Sequence, residues 1–132
     1  MRFEVRTNRR DELVDVTSQV AEVVAASGVE AGIAVVSSPH TTAGVTVNEN
    51  ADPDVQRDVL HGLQRIFPRE GDWRHFEGNS DAHLKTALVG TSATLPVAGG
   101  RLALGTWQAI YLAEFDGPRT RKVDVTVVSG VG

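Results

Sequence analysis

The last third of the chain is cut by glycine into short β-rich pieces. Thr94–Val97, Arg101–Leu104, Thr106–Phe115 and Arg121–Val128 are separated by Gly99-Gly100, Gly105 and Gly117-Pro118. Runs rich in β-branched and aromatic residues, bounded by such turn formers, read as strands joined by hairpins. The pattern excludes an all-helical fold and predicts an antiparallel, hairpin-rich meander. At 132 residues the chain fits a single domain over 1–132, because two domains would each be too small to bury a good core.

The first two thirds mix both periodicities. Phe3-Glu4-Val5-Arg6-Thr7 alternates apolar and polar, so one strand face is buried. Asp11–Val16 fits either a strand or a helix. Thr17 is placed to cap a helix with a Val20, Val23 and Val24 stripe, ending at Gly28 as a left-handed cap. Gly32–Ser37 is a β-branched run, and Thr42–Asn48 reads as its pairing partner. Asp52-Pro53 starts a second helix: Asp accepts from the free N–H groups, and Pro has no N–H to lose at the first position. Val55, Val59, Leu63 and Ile66 recur at helical spacing, and Pro68 with Gly71 closes the segment. Residues 68–81 form a long polar loop, and such loops in small domains carry function or move. Asp81–Val89 makes a short third helix. The expected fold is α+β: a mostly antiparallel, sandwich-like sheet with two or three helices.

Charge and composition narrow the function. The chain has no cysteine, which excludes disulfides, thiolate metal sites and a cysteine nucleophile. The net charge of −4 is uneven: +3 over residues 1–10, −8 over 11–56 and +1 over 57–132. No basic patch with interleaved aromatics appears, so nucleic acid is not the expected partner. No apolar run is long enough to cross a bilayer, and Met1-Arg2-Phe3-Glu4 opens no signal peptide, so a soluble, cytoplasmic chain is expected. The acidic block reads as solvated surface or as carboxylates that attract cations.

Four histidines are available. His61 lies off its helix's apolar stripe and reads as exposed. His40 stands in a hydroxyl-rich turn, Ser37-Ser38-Pro39-His40-Thr41-Thr42, after a buried strand. His75 lies in the long loop and His83 at the start of the third helix. The last three read either as a nitrogen ligand set or as scattered loop residues. Glu49, between two asparagines, is not explained by turn preference; it suits a general base or a cation ligand. Gly78-Asn79-Ser80-Asp81-Ala82-His83 joins turn residues to a helix start, where backbone N–H groups favour phosphate. Trp107 reads as core. Gln108 and Glu114 share a strand face and are polar candidates. Arg119, in Asp116-Gly117-Pro118-Arg119, is exposed or grips a phosphate.

These segments together resemble the YjbQ-like family. Pro39-His40-Thr41-Thr42-Ala43, Asn48-Glu49-Asn50-Ala51-Asp52-Pro53, Gly78-Asn79-Ser80 with Ala82-His83, Gly105-Thr106-Trp107-Gln108 and Glu114–Arg119 occur in order, and the likeness runs from Phe3 to Val128. The spacing from Ser92 through Leu95, Val97 and Gly100 to Gly105–Gln108 and Ile110 carries it most specifically. The main visible departure is Gly44, where Ala or another helix-neutral small residue is expected; it is expected to alter backbone freedom more than chemistry. The resemblance implies a compact homotrimer whose site holds a divalent metal, zinc or magnesium. It also implies a secondary thiamine-phosphate synthase activity, joining a pyrimidine diphosphate to a thiazole phosphate with release of diphosphate. On that reading His40, His75 and His83 are metal ligands, and Glu49 and His83 are catalytic. Asn79, Gln108 and Arg119 bind the small phosphorylated metabolite. The alternatives are a metal-dependent hydrolase of a phosphorylated metabolite and a non-catalytic trimeric metal- or metabolite-binding protein.

Overall fold

A computed structural model describes residues 1–132. The fold is α+β, with three helices and eight strands in two antiparallel sheets. In chain order they are β1 (Arg2–Arg6), β2 (Glu12–Asp15), α1 (Thr17–Ser27), β3 (Gly32–Ser37), β4 (Ala43–Glu49), α2 (Pro53–Ile66), α3 (Ser80–Val89), β5 (Ser92–Ala98), β6 (Arg101–Leu102), β7 (Gln108–Glu114) and β8 (Thr120–Ser129). The larger sheet has the order β1-β8-β3-β5-β6, and the smaller β2-β7-β4.

The core lies between the sheets. Val5, Ala34, Val36, Leu95, Val97, Val123 and Val125 meet Ala43, Val45, Ile110 and Leu112, and α1 adds Val20 and Val24. Strand β7 is central in its sheet and both its faces are covered, one by the large sheet and the other by helices. Ile110 and Leu112 face the large sheet, while Ala113 and Phe115 meet Ala82 of α3 with Leu60 and Leu63 of α2 beside them. Helices α2 and α3 thus form a third layer over the small sheet. No helix is long and apolar enough to cross a membrane.

Pairing departs from the expected meander. Only β5 and β6 form a hairpin, across Gly99 and Gly100, both at positive φ. Strand β7 passes to the small sheet, and β8 returns to pair with β1 and β3. Strand β4 does not pair with β3; it pairs with β7, and β3 lies between β5 and β8. A sandwich lets sequential strands alternate between layers, and β-branched runs carry no label for the layer they join. Asp11–Val16 resolves into the edge strand β2.

Helix starts follow the sequence at α2 but not at α1. Asp52 Oδ1 accepts from Asp54 N at 2.9 Å. At α1 the cap group is the Asp15 carboxylate, which accepts from both Thr17 N and Thr17 Oγ1. Thr17 lies inside the helix and its hydroxyl accepts from Ile110 N, tying α1 to β7. Gly28 closes the helix at φ 71°, as expected.

Gly44 is needed for space rather than freedom. A Cβ there would stand 2.4 Å from the Gly90 carbonyl oxygen. The bond from Val45 N to Gly90 O clamps β4 to the end of α3 at this point. The close approach brings the α3 C-terminus against the hydroxyl-rich turn that carries His40.

Candidate functional site

Helix α3 is held by a buried charged network. Asp81 and Lys85, one turn apart, have fully buried side chains bonded at 2.9 Å. Arg10 donates to both Asp81 oxygens, at 3.0 and 2.9 Å. Lys85 also donates to Asp11 Oδ2 and Gln64 Oε1, so its three hydrogens are used. Burial alone would raise the Asp81 carboxyl; the Arg10 and Lys85 bonds outweigh it and bring its pKa down to about 2. This network fixes the first two turns of α3, and with them His83.

A second network fixes the His40 turn. Glu114 is fully buried and accepts from Thr7 Oγ1, Arg121 Nε, Arg121 Nη2, Phe115 N and Asp116 N. Burial favours its neutral form, but the Arg121 pair and these donors leave its pKa below the ordinary carboxylate value. Arg121 Nη2 also reaches Thr42 Oγ1 at 2.8 Å, two residues past His40. Glu114 does share a strand face with Gln108, but that face is core at Glu114, and its oxygens are spent.

His83 stands at the junction of two clefts. One, of about 430 Å³, is walled by Trp73, Arg74, His75, Ser80 and His83. The other, of about 370 Å³, is walled by His40, Thr41, His83, Thr86 and Thr91. The His75 and His83 rings lie edge to face, 5.5 Å between centroids. His40 Nε2 accepts from Lys122 N at 2.8 Å, which leaves the ring proton on Nδ1. Burial, then the Arg121 charge, lowers the His40 pKa. His75 and His40 therefore stand on the two sides of His83, each in one of its clefts, while His61 is exposed on α2 as expected.

The other sequence candidates divide. Asn79 precedes α3 but its side chain does not cap the helix. Its Nδ2 donates to Asp116 Oδ2 at 2.9 Å, and its buried Oδ1 has no partner. That free oxygen accepts rather than donates, so it does not suit an anion. Arg119 is half-exposed and bonded to Asp116 through its backbone oxygen and its carboxylate. Glu49 and Gln108 are register partners at the opposite end of the small sheet. Glu49 lies six residue steps along β4 from Ala43, about 20 Å at strand rise. Gln108 Oε1 is taken by Gly105 N. Trp107, expected in the core, is 62% exposed beside them. Its residue sits in the turn before β7, beyond the reach of the sandwich layers.

The histidines were legible because they lie in loops and at element ends. Trp73, Arg74 and Thr86 were missed. Trp73-Arg74-His75 did carry a signal, a stacking surface, a cation and an imidazole in one polar loop. Thr86 carried none, since one threonine within a helix says nothing about what it faces.

A three-histidine metal set does not form within one chain. Such an ion needs three or four ligands about 2 Å from one point. No three His or carboxylate side chains are so grouped. Two imidazoles on one tetrahedral ion have centroids about 5 Å apart, and only His75 and His83, at 5.5 Å, show that spacing. His40 has its Nε2 occupied by a backbone N–H.

The whole chain matches a known family. Residues 1–130 fit the profile described as UPF0047 protein YjbQ-like. The chain belongs to this family. A member from Methanocaldococcus jannaschii is 48% identical over 127 residues, covering 96% of this chain and 92% of its own. YugU of Bacillus subtilis is 50% identical over 120 residues, covering 90% and 91%. A crystal structure of a YjbQ family protein from Clostridium acetobutylicum superposes with a TM-score of 0.95 at 52% identity, covering 97% and 99%. A hypothetical protein from Aeropyrum pernix gives 0.93 at 41% identity, covering 98% of each chain. The two solved structures share the two-sheet scaffold and its helical layer.

Proposed function

We propose that the clefts around His83 bind a small phosphorylated metabolite and carry a transferase reaction of the secondary thiamine-phosphate synthase type. The thiazole nitrogen attacks the methylene carbon of the pyrimidine diphosphate. The C–N bond forms as the C–O bond breaks, and diphosphate leaves with the bonding pair. The observation that carries this reading is His83 at the junction of both clefts, with Arg74 and His75 on one side and His40 on the other. Arg74 and the α3 N-terminus suit the charge that grows on the departing diphosphate. Trp73 offers a face for a heteroaromatic ring. His83 donates a hydrogen bond to the leaving oxygen. No step is routed through a metal, because this chain's own histidines supply at most a pair at ligand spacing.

Assembly as a homotrimer in the cytoplasm is part of the proposal. Glu49 is too far along β4 to serve the His83 cleft of its own subunit, so it acts in a neighbour's. Trp107 beside it is exposed in the isolated chain. A subunit this small buries only about two thirds of its unfolded surface, which favours association. The test is turnover. His83→Ala and Glu49→Ala proteins are expected to stay folded and trimeric yet lose thiamine-phosphate formation. Wild-type rates in both overturn the assignment.

A further inference from the structure

The cleft between His40 and His83 has three features in common with an oxyanion site and one that argues against a metal. His40 is oriented by its backbone neighbour: a peptide N–H can only donate, so the 2.8 Å bond from Lys122 N to Nε2 requires a bare Nε2. The proton is then on Nδ1, and Nδ1 has no partner within the protein. Thr41 and Thr91 stand on the same wall. Thr86 completes it, only 3% exposed, with a hydroxyl that has no hydrogen-bond partner. Buried hydroxyls are nearly always paired, and a 120° turn about χ1 carries the hydroxyl to the place the methyl now holds, with the methyl moving to the hydrogen's place. The wall thus offers hydroxyl donors and one imidazole N–H, with Arg121 near enough to depress His40 but itself paired to Glu114. A metal at His40 would have to use Nδ1 and displace its proton, while Nε2 stayed tied to Lys122.

We propose that His40 is a neutral hydrogen-bond donor, through Nδ1–H, to a phosphoryl oxygen seated between His40 and His83, and that this subsite works without a metal ion. Thr86 supplies a second donor by turning its hydroxyl to the bound group. The proposal rests on the phosphorylated-metabolite reading above and assigns the phosphate of the thiazole substrate to the smaller cleft. The pyrimidine ring and its departing diphosphate are left to the cleft that holds Trp73 and Arg74.

Histidine tautomers are read directly by long-range proton–nitrogen correlation on ¹⁵N-labelled protein treated with a chelator. The expected pattern for His40 is a protonated Nδ1 and a bare Nε2. Inorganic phosphate added to this metal-free protein shifts Nδ1, and zinc at one equivalent changes neither the pattern nor the phosphate affinity. Thr86→Val, close in shape, weakens phosphate by about fivefold, the value of one hydrogen bond, while the fold stays intact. His40→Ala weakens it by at least as much. An Nε2–H tautomer at His40, or unchanged phosphate affinity in both variants, overturns the proposal. Phosphate binding that appears only with zinc overturns the metal-free assignment and leaves the phosphorylated-metabolite reading standing. No binding in either condition overturns both.

Discussion

Replacing Asp81 with Asn removes one charge from the network that anchors α3. Asp81 accepts two bonds from Arg10 and one from Lys85, and its side chain is fully buried. Its pKa falls from 3.8 to about 2 on folding. At about 1.4 kcal/mol per pKa unit this is roughly 2.5 kcal/mol of stability. The sign follows from a depressed folded-state pKa. The contribution is fully present above about pH 4 and is lost as pH falls towards 2. Asp81→Asn is therefore expected to cost about 2–4 kcal/mol at pH 7, the upper end reflecting a buried Lys85 with one charge partner fewer. Lys85 keeps Asp11 at 2.8 Å, which limits the loss. Urea unfolding at one fixed protein concentration, at pH 7 and pH 3, measures it. The gap between wild type and variant narrows at the lower pH. A loss below about 1 kcal/mol at pH 7, or a gap that does not change with pH, refutes the argument that the ionised Asp81 holds α3.

Other outcomes follow from the same geometry. Glu114→Ala leaves Arg121 buried without its carboxylate and is expected to cost about 3–5 kcal/mol in chemical denaturation. Gly44→Ala drives a methyl into the Gly90 carbonyl, so the melting temperature falls and phosphate binding at the adjoining His40 wall weakens. Trp107→Ser changes an exposed side chain, so subunit folding is expected to survive while sedimentation shows loss of the proposed trimer; an unchanged oligomeric state places Trp107 outside any interface.

Much of the fold was readable because its signals are local. Asp52-Pro53 and Gly28 mark helix ends through their own backbone chemistry, and the β-branched runs mark strands. Strand partners were not readable. Val45 and Val36 look alike in sequence, yet one faces the core from the small sheet and the other from the large. Trp107 misled because a large aromatic usually earns burial, and here the chain turns before the layers cover it. Asp81 and Lys85, four apart on a helix, look like an exposed ion pair; only the fold brings Arg10 and Asp11 across to bury them. His40, His75 and His83 were found from their loop positions. That Glu49 lies at the other end of the sheet was invisible, because which end of β4 meets His83 depends on where α3 is docked.

The most direct test mixes two inactive proteins. His83→Ala and Glu49→Ala subunits are unfolded together, refolded at equal ratio and assayed for thiamine-phosphate formation. If each site takes His83 from one subunit and Glu49 from its neighbour, about a quarter of the sites in randomly mixed trimers carry both residues. The account predicts about a quarter of the wild-type rate from two proteins that are each inactive. A mixture no more active than its parents, or parents that keep the wild-type rate, contradicts it.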